Sequence, residues 1–257
     1  MIGRLWSQRH LIGSLTRRQF HIRYRQSFGG ILWAVVPPLA TLGVGSLVFK
    51  NVAGVGSEGA SYALVTVAAL IPWTFFASSL TFGIPSVVSN MPMVTRLAFP
   101  RAALPLSMIG VSTIDLLVTI VIFAIVAITV GTGLPATAAL LPVVLLIELA
   151  LVAGLVMLGS AINVFARDIR LAVPLFVQFW LFVTPVMYPL ARVPEELRPW
   201  YLANPMTGIV ESAKQVLVYG QGLDPLLILP STAGALAALA IGLWYFAGTE
   251  ARFADAI

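Results

Sequence analysis

TPVMYPLARVPEELRPWYLANPM, residues 184–206, follows directly on LAVPLFVQFWLFV (171–183), a run apolar enough to lie in a membrane. Five prolines fall in it (Pro185, Pro189, Pro194, Pro199, Pro205), together with four charges, Arg192, Glu195, Glu196 and Arg198. Proline removes a backbone donor and clashes with the preceding turn, so the apolar helix must end here. The continuation, EELRPWYLANPMTGIVESAKQVLVYGQG, is too polar to span a bilayer and too rich in Trp, Tyr, Leu and Val for a free loop. Two readings fit: short helices that dip part-way into one leaflet and turn back, or a small folded cap above the membrane. Irregular backbone at membrane depth persists only where protein or a water-filled cavity surrounds it, so dipping helices would line or cap a pathway.

Composition supports the membrane setting. Of 257 residues, 59% are hydrophobic and 10% charged, against about 25% charged in a soluble domain. The chain is therefore expected to be an all-α integral membrane protein. It contains no cysteine, which excludes a disulfide framework, a thiol nucleophile and a cysteine metal site. The net charge of +5 is not read as a nucleic-acid signal, because six arginines and no acid fall within residues 1–30, just ahead of the first apolar run. Basic residues so placed set topology and meet anionic lipid. The long charged start, without a short apolar core and small-residue cleavage site, argues against a cleavable signal peptide.

Six spans are predicted, at about 31–49, 62–80, 104–130, 140–164, 173–189 and 226–247. With the N-terminus inside, Arg4, Arg9, Arg17, Arg18, Arg23, Arg25, Arg96, Arg101, Arg167, Arg170 and Arg252 fall on the cytoplasmic side, leaving Lys50, Arg192, Arg198 and Lys214 outside. That asymmetry predicts both termini in the cytoplasm. Within 1–30, Leu5, Ile12, Leu15, Phe20 and Ile22 interleave with arginines, as in a helix lying in the interface; a solvated basic tail is the alternative. The whole reads as one transmembrane domain, with an interface helix in 1–30, a cytoplasmic loop in 81–103 and an external region in 190–225.

Enzyme chemistry is missing. The two lysines, Lys50 and Lys214, are not in a phosphate-binding G-x-x-x-x-G-K-[ST] loop. No H-E-x-x-H or G-x-S-x-G occurs, and His10 and His21 both lie in the basic N-terminus, so neither a metal nor a catalytic site is predicted. Asp115 and Glu148 lie inside spans and should face protein or water, since lipid exposure at mid-bilayer would cost on the order of 3 kcal/mol. Interior hydrogen bonding and a proton relay are the two readings. Phe176, Phe179, Trp180, Val183 and Met187 share a helical face, which either meets lipid and neighbouring helices or lines a conduit in which flat rings suit sugars.

HIRYRQSFGGILWAVVPPLA, AALIPWTFF, SNMPMVTRLAFPRAALP, NVFARDI, TPVMYP and NPM, in this order between residues 21 and 206, resemble the membrane subunits of ABC-2 type polysaccharide exporters. Phe28-Gly29, Met91-Pro92-Met93 and Arg96 depart from the usual family residues. The resemblance implies six spans, an interface helix and re-entrant helices (about 194–203 and 205–220) between the last two spans. It also implies a bacterial inner-membrane homodimer working with two copies of a separate P-loop ATPase, which would hold the ATP and Mg. The substrate implied is a lipid-linked glycan such as O-antigen, capsule or teichoic acid. Asn90, Thr95, Arg96, Phe99 and Pro100 would then form a coupling helix, set off from span three by Pro100 and Pro105, with Arg167 and Asp168 bracing the same partner. Arg23 and Arg25 are candidates for the lipid phosphate, or else mark topology only. Trp33, Phe176, Phe179 and Trp180 would line the glycan path, and Tyr188, Trp200 and Tyr201 its outer gate. A drug or lipid ABC-2 permease and an ion-coupled secondary transporter are the rival expectations; the latter lacks the internal repeats it requires.

Overall fold

The computed structural model describes residues 9–25, 29–30, 32–47, 61–96 and 99–254; Arg4, Lys50 and the side chain of Arg25 lie outside them. The described residues form helices and connecting turns. In chain order these are α1 (Arg9–Phe20), continued by a π-type turn His21–Arg25, α2 (Leu32–Gly45), α3 (Tyr62–Gly83), α4 (Ser86–Ser89), α5 (Met91–Arg96), α6 (Ala103–Val130), α7 (Leu141–Phe165), α8 (Ile169–Val183), α9 (Arg198–Ala203), α10 (Pro205–Lys214) and α11 (Pro225–Thr249).

Among the described residues, four segments are long and apolar enough to cross a membrane: Tyr62–Gly83, Ala103–Val130, Ala136–Phe165 and Pro225–Phe253. The first and last apolar helices of the remaining pair are shorter, 14 residues in α2 and 15 in α8. At 1.5 Å per residue they reach only about 21–23 Å, less than a hydrocarbon core of about 30 Å. Span five, expected over 173–189, is thus shifted: α8 begins at Ile169 and stops at Val183 because Thr184 turns extended ahead of Pro185. Met187 accordingly leaves the aromatic stripe; it sits in the buried turn after α8, where its carbonyl accepts from the Tyr62 hydroxyl at 2.9 Å. Pro105 does not separate the coupling segment from α6. It occupies the third position of that helix, where no intrahelical N–H bond is lost.

Helix α3 is the centre of the bundle, buried along most of its length between α6, α7, α8 and α10. Small residues let α7 and α11 approach backbone to backbone: a Cβ on Gly154 would strike Ala238 and Leu239, and one on Gly242 would strike Gly154. Gly208 of α10 meets Leu227 and Ser231 of α11 in the same way. Such contacts suit a medium in which packing, rather than water exclusion, holds helices together. Starts are written in side chains as well. Asn204 accepts from the Met206 amide at 3.1 Å and Asp224 from the Leu226 amide at 2.9 Å, each followed by proline at the first helical position.

Candidate functional site

Three places gather the residues singled out in the sequence. The first is a cavity of about 380 Å³ enclosed by the turn after α1 and by α2, α3 and α6, with Trp33, Trp73, Phe82, Ser78, Arg23 and Asp115 on its wall. Asp115 is buried in α6, and the Arg23 guanidinium donates to its Oδ2 at 2.9 Å. The Tyr24 hydroxyl donates to Oδ1 and the Ser78 hydroxyl to Oδ2, while Arg23 also reaches Ser78 Oγ at 3.2 Å. The guanidinium lies 3.9 Å from the Phe82 ring centroid, a cation–π contact. Burial, then the bond to Asp115, pushes the Tyr24 phenol above its ordinary range, so it remains a donor. Arg23 therefore has an acidic partner 92 residues away in sequence, which was not foreseen. It keeps 24% side-chain exposure, and its five N–H donors exceed the two acceptors named.

Glu148 is also interior, 0% exposed, and neither carboxyl oxygen has a hydrogen-bond partner among the described residues. Asp115 and Glu148 thus both face protein, as expected, but in different surroundings.

The second place is a groove of about 450 Å³ between α8 and α9. Phe176, Phe179 and Trp180 line it, joined by Trp200, which is 76% exposed. Phe176 and Trp180 meet edge to face at 4.9 Å, and Trp180 meets Phe76 of α3 likewise at 5.0 Å. Trp33 is not part of this surface within the chain; it borders the first cavity instead. Asn204 ties the groove together: its Oδ1 accepts from Trp180 Nε1 at 3.1 Å and its Nδ2 donates to Thr184 Oγ1 at 3.0 Å. Beside it Tyr188 and Tyr201 hydroxyls lie 3.0 Å apart, and Tyr188 donates to the Phe182 carbonyl at 2.6 Å.

Lys214, expected in an external segment, is 1% exposed. Its ammonium donates to the carbonyls of Pro185 (2.5 Å) and Tyr188 (3.3 Å) and pairs with Glu211 at 2.8 Å. The turn that follows α8 is not helical, so its carbonyls need outside donors, and Lys214 supplies them. Neither Asn204 nor Lys214 was picked out from sequence; the prolines that leave carbonyls unpaired were the available signal.

The third place is the end of the bundle that carries most of the arginines. Thr95 and Arg96 are exposed on α5, whose other side buries Val94. Asn90 caps α4, its Nδ2 donating to the Ser86 carbonyl at 2.9 Å. Phe99 packs on the cluster of Val94, Phe246 and Phe253, and Pro100 accepts the Ala103 amide at 3.0 Å. Arg167 and Asp168 are exposed in the turn between α7 and α8.

Compared with known proteins, the chain is 29% identical over its whole length to the O-antigen export system permease protein RfbA of Myxococcus xanthus, 99% of which is covered. It is 27% identical to a protein of the same description from Klebsiella pneumoniae, over 95% of this chain and 94% of that one. The model of the ABC-2 type transporter family matches residues 10–218. The chain belongs to the ABC-2 type transporter membrane family.

Proposed function

We propose that this chain is the membrane subunit of a bacterial inner-membrane exporter of a lipid-linked polysaccharide of the O-antigen kind. The end-to-end similarity to O-antigen export permeases carries the reading. The working unit is two copies of this chain with two copies of an ABC ATPase, which binds ATP and Mg. The chain crosses the membrane six times with both termini inside, α2 and α8 being completed as spans by flanking residues or a locally thinned bilayer. Residues 190–225 form the re-entrant external region.

In this mechanism the phosphate of the lipid anchor reaches the cavity beside α2 and takes the donors of Arg23 that Asp115 and Ser78 leave over. A guanidinium fits phosphate oxygens with paired N–H groups; Arg25 is a candidate by its place in the sequence alone, its side chain lying outside the described residues. The Asp115 carboxylate holds Arg23 in place, and Phe82 and Trp33 face the anchor. ATP-driven closure of the partner is received by Asn90–Pro100 and by Arg167 and Asp168, and the glycan moves along Phe176, Phe179 and Trp180 towards Tyr188, Trp200 and Tyr201. The exposed rings, Phe179 at 70% and Trp200 at 76%, favour this path, because a second copy would enclose them.

Co-purification with ABC ATPases in mild detergent tests the reading. The wild-type chain is expected to yield a two-plus-two complex that a Thr95, Arg96 and Phe99 triple-alanine variant loses. A folded wild-type chain that captures no ABC ATPase would overturn it and direct attention to ion-gradient transport.

A further inference from the structure

The residues after α11 form a 3-10 turn, Glu250–Ala254, packed between two segments far apart in sequence. On one side the Arg101 backbone N–H donates to Glu250 Oε1 at 2.8 Å. The Arg101 guanidinium donates to the carbonyls of Glu250 and, at 3.4 Å, Ala251. On the other side Phe253, fully buried, meets Phe165 edge to face at 6.1 Å and Phe246 at 5.3 Å. Phe165 ends α7 and opens the loop that carries Arg167 and Asp168.

We propose that the turn Glu250–Ala254 is a brace that locks the coupling segment and the second cytoplasmic loop into one rigid body, with Glu250 and Phe253 as positioning residues for coupling. This rests on the coupling assignment above. The physical need is plain: α4 and α5 are four and six residues long, too short to be stable or stiff alone. A push on α5 reaches the spans only through what clamps it. Glu250 supplies an acceptor and a negative charge to the amide two residues before α6 begins, a favourable end for an anion. Arg101 closes the same joint with its side chain, and Phe253 fixes the turn to α7 and α11. Displacement of α5 is thus delivered to α6, α7 and α11 together.

Among the described residues there is no cysteine, and none occurs in the whole sequence, so a single Cys at Trp200 reports from the external region without background. The complex with its ABC ATPase is placed in liposomes, and the rate of labelling by an impermeant maleimide is measured with and without ATP and Mg. The parent is expected to change rate by about fivefold or more on adding ATP, in keeping with ordinary coupling strengths. E250A and F253A are expected to lose that response while still capturing the ATPase and hydrolysing ATP. E250Q, which retains an acceptor oxygen for the Arg101 amide, keeps it. Should E250A not purify as a monodisperse complex, R101A, which removes the guanidinium bonds at the surface, is expected to reduce the response. A full ATP response in E250A or, in its place, R101A would overturn the brace and leave the transporter reading standing. Loss of ATPase capture by E250A would also overturn it, making the turn a docking surface instead. A parent that captures an ATPase but shows no ATP response would overturn the brace and the coupling assignment together.

Discussion

Breaking the Arg23–Asp115 pair from both sides should damage the fold less than the two single losses added together. Two unit charges 2.9 Å apart attract by about 6 kcal/mol at an effective dielectric of roughly 20, and desolvation of the buried carboxylate takes back much of that. Removing one partner of a fully buried pair costs about 3–5 kcal/mol. Arg23, at 24% exposure, is free to turn towards water or lipid phosphate, so about 2–3 kcal/mol is expected for D115A. The alanine also strips the Tyr24 and Ser78 hydroxyls of their acceptor. D115N keeps one acceptor oxygen and should cost about half as much. At roughly 2–4 °C per kcal/mol for a chain of this size, D115A should lower the melting temperature in detergent by about 5–10 °C. The decisive assay is a double-mutant cycle of R23Q and D115N at one scan rate, read by loss of the monodisperse peak after heating. The double variant should be more stable than the sum of the single effects predicts, by at least about 1 kcal/mol. Additivity within about 0.5 kcal/mol would refute the reasoning and leave Arg23 as a residue that meets lipid alone.

K214M leaves the Pro185 and Tyr188 carbonyls and the Glu211 carboxylate without their cation; a loss of about 3 kcal/mol is expected, with K214M/E211Q recovering part of it in the same melting assay. G242A drives a methyl into the Gly154 backbone and should cost about 1–3 kcal/mol, whereas G248A, with open space around its Cβ position, should be close to neutral by the same measurement. Tyr24 and Tyr188 are both raised above the ordinary phenol value of 10.0, chiefly by burial. Their protonated forms therefore support the fold fully below pH 10, and that support falls as pH rises past 10.0. Y24F and Y188F should each flatten the alkaline decline in melting temperature, and tyrosinate absorbance should show both phenols silent at pH 10 to 11 in the native protein.

The architecture was legible where one chemical group decides it. Apolar length located α3, α6, α7 and α11 to within a few residues, and the Asn204-Pro205 and Asp224-Pro225 pairs mark helix starts by themselves. The end of α8 was misplaced by nearly two turns because TPVMYP is apolar: hydropathy counts side chains, whereas the helix ends when Pro185 cannot donate. Charge was the harder quantity. The partner of Asp115 could not be read from the spans, since its arginine reaches in from the turn after α1, whose rotation no periodicity in residues 9–25 specifies. Lys214 was assigned to the outside by counting charges, yet its neighbours Pro185 and Pro189 already imply carbonyls that no helix or sheet can satisfy. A long, flexible cation eight residues beyond NPM is a donor of the right reach. In an apolar chain each orphan carbonyl beside a proline is a stronger claim on a nearby lysine or arginine than the aqueous phase is, because leaving the carbonyl unpaired at depth costs several kcal/mol. Arg96, Arg167 and Arg170, counted in the same way, are exposed. Counting charges says nothing of burial, and Lys214 spends its charge on two carbonyls and Glu211 inside the fold.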